Sequence, residues 1–179
     1  MIPFISFNYK KEEIKQKILD SISNTLESEQ YVLGPKNIEF ERKFAQLIGA
    51  KSSVGVGSGL DALIISLKSL NIGPGDEVIV PSNTYIASWL AVSELGAKII
   101  PVEPDIKTYN LNPDIIIEKI TSKTKAIMPV HLYGQPCNMT KIMDIASKYN
   151  LYVIEDNAQA HMAKWGPKYT GTFGNINAT

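Results

Sequence analysis

The sequence predicts an α/β domain with a mostly parallel sheet. Three observations carry that reading. Short apolar, β-rich runs alternate along the chain with longer segments of helical periodicity. Turn signals such as Gly73-Pro-Gly-Asp76 separate the two kinds of segment. The run Leu151-Tyr-Val-Ile154 ends on Glu155 and Asp156, and a carboxylate at the carboxyl end of a buried strand sits where open α/β sheets bind ligands. Taken alone, that strand end reads equally well as a solvated acidic pair.

Residues 1–8 form a short arm. A helix is predicted over 11–27, where Ile14, Ile18, Ile22 and Leu26 recur four apart on one face. Gly34-Pro35 marks a turn. A second helix, over 37–49, carries Ile38, Phe40, Phe44, Leu47 and Ile48 and closes on Gly49. A short strand over 53–56 leads through Gly55-Val-Gly-Ser-Gly59 into a helix over 60–70, whose core stripe is Leu60, Leu63, Ile64 and Leu67. A strand over 77–80, a helix over 86–95 stopped by Gly96 and a strand over 97–102 follow. Asn112-Pro113 is an N-cap and first-turn pair for a helix through Ile120. A strand over 125–130, a helix over 139–149 and the strand over 151–155 complete the alternation. The stretch 171–179 reads as an interrupted loop-to-strand segment, so the chain is expected to be part of a longer one.

Length and composition narrow the function classes. The 179 residues suffice for about one domain. Lys+Arg and Asp+Glu both number 18, with no basic run, which argues against a nucleic-acid binder. The single cysteine, Cys137, cannot form an internal disulfide and reads as a small buried side chain. With two histidines spread apart, no metal site is expected. No apolar run approaches the roughly 20 residues of a membrane span, and no targeting segment is visible. The expected location is cytoplasmic.

Three constellations carry chemistry. Gly55-Val-Gly-Ser-Gly59 opens a helix, so backbone N–H groups and the helix dipole can meet a phosphate or carboxylate, with Ser58 donating its hydroxyl. A tight turn with Ser58 as N-cap is the plainer reading. No Gly-Lys-Ser/Thr triplet occurs, and Gly55 and Gly57 are followed by Leu60 where a dinucleotide fingerprint needs glycine. Pro81-Ser-Asn-Thr-Tyr85 lies at a second strand-to-helix junction, where the Tyr85 ring either stacks on a planar ligand or packs on its own helix. Asp156, with the amide of Gln159 nearby, can pair with a protonated heterocyclic nitrogen. One ligand answers to all three: a phosphate, a flat ring and a ring nitrogen that needs an anion. Pyridoxal phosphate fits.

At this point the chain resembles the DegT/DnrJ/EryC1/StrS-type sugar-nucleotide aminotransferases, a pyridoxal-phosphate family of fold-type I. The matching pieces are Tyr31-Val-Leu-Gly-Pro35, Gly57-Ser-Gly-Leu-Asp-Ala-Leu63, Gly73 through Tyr85, Pro129-Val-His-Leu-Tyr-Gly-Gln-Pro136 and Ile154-Glu-Asp-Asn-Ala-Gln-Ala-His161. The resemblance implies an aspartate-aminotransferase-like three-layer domain, here incomplete. Residues 1–179 would be an N-terminal segment plus most of the large cofactor-binding domain, without the small C-terminal domain. It assigns Ser58 and Gly59 to the cofactor phosphate, Tyr85 to the ring face, Asp156 to the ring nitrogen and Gln159 to the phenolic oxygen. It sets His161 near the sugar substrate, and Tyr31 and Gly34 near an active site at the interface of a homodimer. The Schiff-base lysine is expected beyond Thr179, and Lys164 and Lys168 read as surface lysines.

The motif variants are similar to the subgroup that aminates C3 of dTDP-3-keto-6-deoxyhexoses, with L-glutamate as donor. Two alternatives stand beside it. One is a same-fold keto-deoxysugar dehydratase, with histidine in place of the lysine. The other is a cofactor-binding fragment without turnover.

Overall fold

The structure, a computed structural model, describes residues 11–179, and the arm expected over residues 1–8 lies outside them. Its centre is a five-stranded sheet. The strands are β1 (Glu77–Pro81), β2 (Lys98–Val102), β3 (Thr124–Ile127), β4 (Tyr152–Asp156) and, from the last residues, β7 (Ile176–Ala178). They run in the order β2-β1-β3-β4-β7, and every pairing is parallel. A two-stranded antiparallel ribbon, β5 (Lys164–Trp165) with β6 (Lys168–Tyr169), lies outside the sheet. The helices are α1 (Lys11–Ser28), α2 (Pro35–Ile48), α3 (Gly59–Ser69), α4 (Ile86–Glu94) and α5 (Met139–Tyr149).

Alternation along the strands sends side chains to two faces. Val78, Val80, Ala126, Met128 and Ile154 pack against Leu63 and Leu67 of α3 and Ala91 and Val92 of α4. Ile79, Ile127 and Val153 pack against Ile142, Ile145 and Ala146 of α5, with Leu111 and Ile116 from the loop before β3. The result is the three-layer arrangement of helices on both faces of a parallel sheet. Local chemistry sets the helix ends. Ser58 caps α3 by accepting the Asp61 N–H, Asn138 caps α5 by accepting the Lys141 N–H, and Gly49 (φ 80°) closes α2 in the left-handed region.

Two expectations need correction. Residues 53–56 form no strand. Instead Ser53 Oγ donates to the Glu41 carbonyl at 2.7 Å and the Gly55 N–H donates to Glu41 Oε1 at 2.7 Å, so side-chain tethers replace a ladder. The helix expected through Ile120 is two 3₁₀ turns, Pro113–Ile115 and Ile117–Lys119, joined at Ile116, whose side chain packs into the core. The apolar stripe of α1 is formed but not buried: Ile14, Ile18, Ile22 and Leu26 are exposed among the described residues.

Cys137 is fully buried, as read from the sequence, and its Sγ donates to the Val130 carbonyl at 3.1 Å. Burial, with the nearby Glu155 charge adding to it, pushes the thiol up to about 12. The native protein should therefore resist thiol reagents at the Cys137 peptide, and label there only after denaturation. Native labelling at the rate of a free thiol would contradict this packing.

Candidate active site

The chain runs from β1 outward to β2, then returns to the other side of β1 for β3, β4 and β7. The carboxyl ends of β1 and β3 thus flank a topological switch point, where parallel sheets open a crevice. A cavity of about 420 Å³ lies there, within the size of small-molecule sites. Ser58, Gly59, Tyr85, Asp156 and Gln159 all line it, with an apolar floor that includes Leu63, Val130 and Leu132.

The first wall is the N-terminus of α3. Gly59 and Leu60 are its first two residues, so their N–H groups have no intrahelical acceptor. A Cβ built on Gly59 meets nothing within 4 Å, so the space before it is open. The Ser58 hydroxyl is already engaged, donating to Asp61 Oδ2 at 2.9 Å while its oxygen accepts the Asp61 N–H at 3.1 Å. The backbone N–H groups are therefore the ready donors here, and the preceding turn is braced by Glu41, which also accepts from Asn37 Nδ2 at 2.9 Å.

The second wall is the start of α4. Tyr85 occupies its N-cap position, and the residue is 72% exposed. The third is the end of β4. Asp156, only 6% exposed, accepts the Ser88 hydroxyl on Oδ2 at 2.8 Å and the Ala158 N–H on Oδ1 at 3.3 Å. Gln159 Oε1 accepts the Tyr133 N–H at 2.7 Å, so its amide NH₂ is the end left for a ligand.

These groups fit pyridoxal phosphate: open N–H donors at a helix N-terminus, an uncovered aromatic face, and a braced carboxylate. Not every expected site residue meets there. His161 is exposed and does not line the cavity. Tyr31 and Gly34 lie in the α1–α2 connection, away from it. The Tyr31 hydroxyl donates to the Leu26 carbonyl at 3.0 Å, and a Cβ on Gly34 would collide with the Gln30 carbonyl.

Residues 12–179 match the model of the DegT/DnrJ/EryC1/StrS aminotransferase family. The chain belongs to that family. It is 55% identical over 174 residues to a dTDP-3-amino-3,6-dideoxy-alpha-D-galactopyranose transaminase of Aneurinibacillus thermoaerophilus, covering 97% of this chain and 48% of that protein. It is 44% identical to a dTDP-3-amino-3,4,6-trideoxy-alpha-D-glucose transaminase of Streptomyces venezuelae, covering 99% and 47%. Among solved structures, S. venezuelae DesV in complex with a ketimine intermediate superposes with TM-score 0.91 at 45% identity, over 95% of this chain and 46% of that one. The chain spans about half the length of the curated relatives it matches. Other solved neighbours carry bound PMP or stand in PLP and PMP forms, so pyridoxal phosphate is the cofactor of this aminotransferase family. The three-layer fold-type I expectation holds.

Four side chains at this end of the sheet make bonds that sequence reading did not foresee. Thr84 and Ser88, one turn apart, put hydroxyls behind Asp156, and the available signal was a polar residue on the buried face of α4. Glu155 and His131 are the others. Glu155 is no solvated acid: it is 0% exposed. It accepts from the Gly171, Phe173 and Gly174 N–H groups, each at 2.7 Å, and from His131 Nε2 at 3.0 Å. His131 Nδ1 accepts the Cys137 N–H at 3.0 Å, which puts the ring proton on Nε2.

Burial alone would raise the Glu155 carboxyl, but the His131 bond and the Gly174 and Gly171 N–H groups outweigh it and hold the group below its ordinary 4.5. A carboxylate depressed by folding contributes stability that is fully present above its unfolded value and is lost as pH falls through the folded value. Unfolding midpoints should thus drop as pH is lowered below about 4.5. Glu155→Gln, which faces N–H donors with an NH₂ group, should lose about 3 kcal/mol at neutral pH and flatten that acid slope. Urea melts between pH 3 and 7 test it; an unaltered acid slope in the variant contradicts it.

Proposed function

We propose that the protein transfers the amino group of L-glutamate to C3 of a dTDP-3-keto-6-deoxyhexose, using pyridoxal phosphate, to give a dTDP-3-amino-3,6-dideoxyhexose. The observation that carries this reading is the convergence of an open helix N-terminus, the Tyr85 ring and the Asp156 carboxylate on one switch-point cavity. The 55% identity to a dTDP-sugar 3-transaminase supports the substrate class.

When bound, pyridoxal phosphate supplies an electron sink for charge that develops as the C–H bond beside the amine nitrogen breaks. The chain's residues do the rest. The Gly59 and Leu60 N–H groups would hold the phosphate against the positive end of the α3 dipole, with Ser58 joining them once its hydroxyl turns from Asp61. Tyr85 would cover the ring and Asp156 would keep the proton on its nitrogen. The NH₂ of Gln159 would donate to the phenolic oxygen.

Residues 1–179 are read as an N-terminal segment plus most of the large domain, with the small domain elsewhere. Among the described residues no lysine lines the cavity, which supports a Schiff-base lysine in sequence following Thr179. The uncovered stripe of α1, and a cavity whose lining does not include Tyr31 or Gly34, support a homodimer in which these two serve the site of a second copy. His161 is assigned to the sugar side of the same site. The enzyme is proposed to be cytoplasmic; no helix of the described residues is long and apolar enough to cross a membrane.

The test uses the full-length protein with L-glutamate and a dTDP-3-keto-6-deoxyhexose, following 2-oxoglutarate and the mass of the sugar nucleotide. Aminated sugar should form, and Asp156→Ala should lower turnover about 100-fold or more. A dehydrated sugar without nitrogen, or wild-type turnover in the variant, contradicts the proposal.

A further inference from the structure

We infer that Ser88 is a positioning residue for the Asp156 carboxylate, and that Thr84 orients Ser88 through a one-way chain of hydroxyls. The inference rests on the functional reading above and adds two residues to the cofactor site.

Ser88 is 0% exposed on a helix whose other buried residues, Ala91 and Val92, pack in the apolar core. A hydroxyl in such a place costs stability unless it is bonded. It makes two bonds: Oγ donates to Asp156 Oδ2 at 2.8 Å and lies 2.9 Å from Thr84 Oγ1. An ionised carboxylate only accepts, so the single Ser88 proton is committed to Asp156. The Thr84 contact then runs in one direction, with Thr84 donating to Ser88. Chained donors of this kind polarise each other and strengthen the last bond, the one on the carboxylate.

The geometry also explains why α4 carries both jobs. Tyr85 stands at the N-cap of α4 and Ser88 one turn further on. One rigid helical turn therefore sets the spacing between the aromatic cover and the acid. Ala158 N–H holds the other oxygen, Oδ1, from the loop after β4. Gripped from two elements, the carboxylate cannot rotate without losing a bond, and Asp156 lines the cavity. Without Ser88 one grip is lost, the carboxylate swings, and the ring nitrogen holds its proton less well.

The experiment uses full-length protein and pyridoxal phosphate labelled with ¹⁵N in the ring. The ¹⁵N chemical shift reports the proton on that nitrogen, and equilibrium dialysis gives cofactor affinity. Ser88→Ala should move the shift toward the unprotonated value and weaken binding about tenfold, the size of one hydrogen bond to a charged group. Thr84→Val should move both in the same direction by less, and Ser88→Thr should restore them. A folded Ser88→Ala protein with the wild-type shift and affinity overturns the inference, even if its Tm falls. Should Ser88→Ala fail to fold, an unmoved shift in Thr84→Val overturns it. Wild-type protein that takes up no pyridoxal phosphate overturns the functional reading and this inference together.

Discussion

The buried carboxylate of Glu155 is the constraint on which the working end of this domain depends. Three backbone N–H groups from 171–174 and one imidazole N–H converge on its two oxygens. Those bonds join three segments distant in sequence: the stretch after β3, the end of β4 and the approach to β7. Gly171 is needed at one corner, because its φ of 83° turns its N–H toward the carboxylate. Removing one partner would leave a buried charge without its donors, a larger loss than any surface ion pair. The neighbouring residue is Asp156, and side chains alternate along a strand. Glu155 thus faces the interior and fixes the frame, while Asp156 faces the cavity.

The backbone around Asp156 is fixed as tightly as its side chain. Its N–H donates to the Pro129 carbonyl at 2.9 Å, and its carbonyl accepts the His131 N–H at 3.0 Å. The segment after β3 therefore continues alongside β4 past the end of the regular ladder. That continuation brings Tyr133, in the left-handed region at φ 57°, to the amide of Gln159. A non-glycine residue held there stores strain that surrounding bonds must offset. Here the offset is the Tyr133 N–H bond to Gln159 together with the Leu132 N–H bond to Asn110. The cavity is thus framed by elements that hold each other, with the Asp156 and Gln159 side chains each bonded to a neighbouring segment.

Much of this was legible in the sequence because local rules agreed with the tertiary outcome. The helix over 139–149 has its Asn138 cap and an apolar face, and it forms at those bounds. The glycine-rich turn into α3 and the strand ending on Asp156 were readable for the same reason. The failures come from interactions that no local pattern encodes. Residues 53–56 look like a strand but are tethered by Glu41, which lies 14 residues before Gly55. Residues 113–119 carry a good Asn112 cap but wind as two 3₁₀ turns, with Ile116 between them set into the core. Glu155 looks solvated next to Asp156 until 171–174 fold over it. Ser88 looks like an ordinary helix serine, since its partner is 68 residues away.

The chain spans about half of its curated relatives, and its described residues carry a switch-point cavity and an uncovered α1 stripe. If Gly59, Tyr85, Asp156 and Gln159 form one pyridoxal-phosphate site, a crystal structure of the full-length protein with the cofactor bound tests it most directly. Phosphate oxygens should then lie within hydrogen-bond distance of the Gly59 N–H, the Tyr85 ring against the pyridine face, and the ring nitrogen on the Asp156 carboxylate. Cofactor density elsewhere, or a ring nitrogen facing any group other than Asp156, would contradict it.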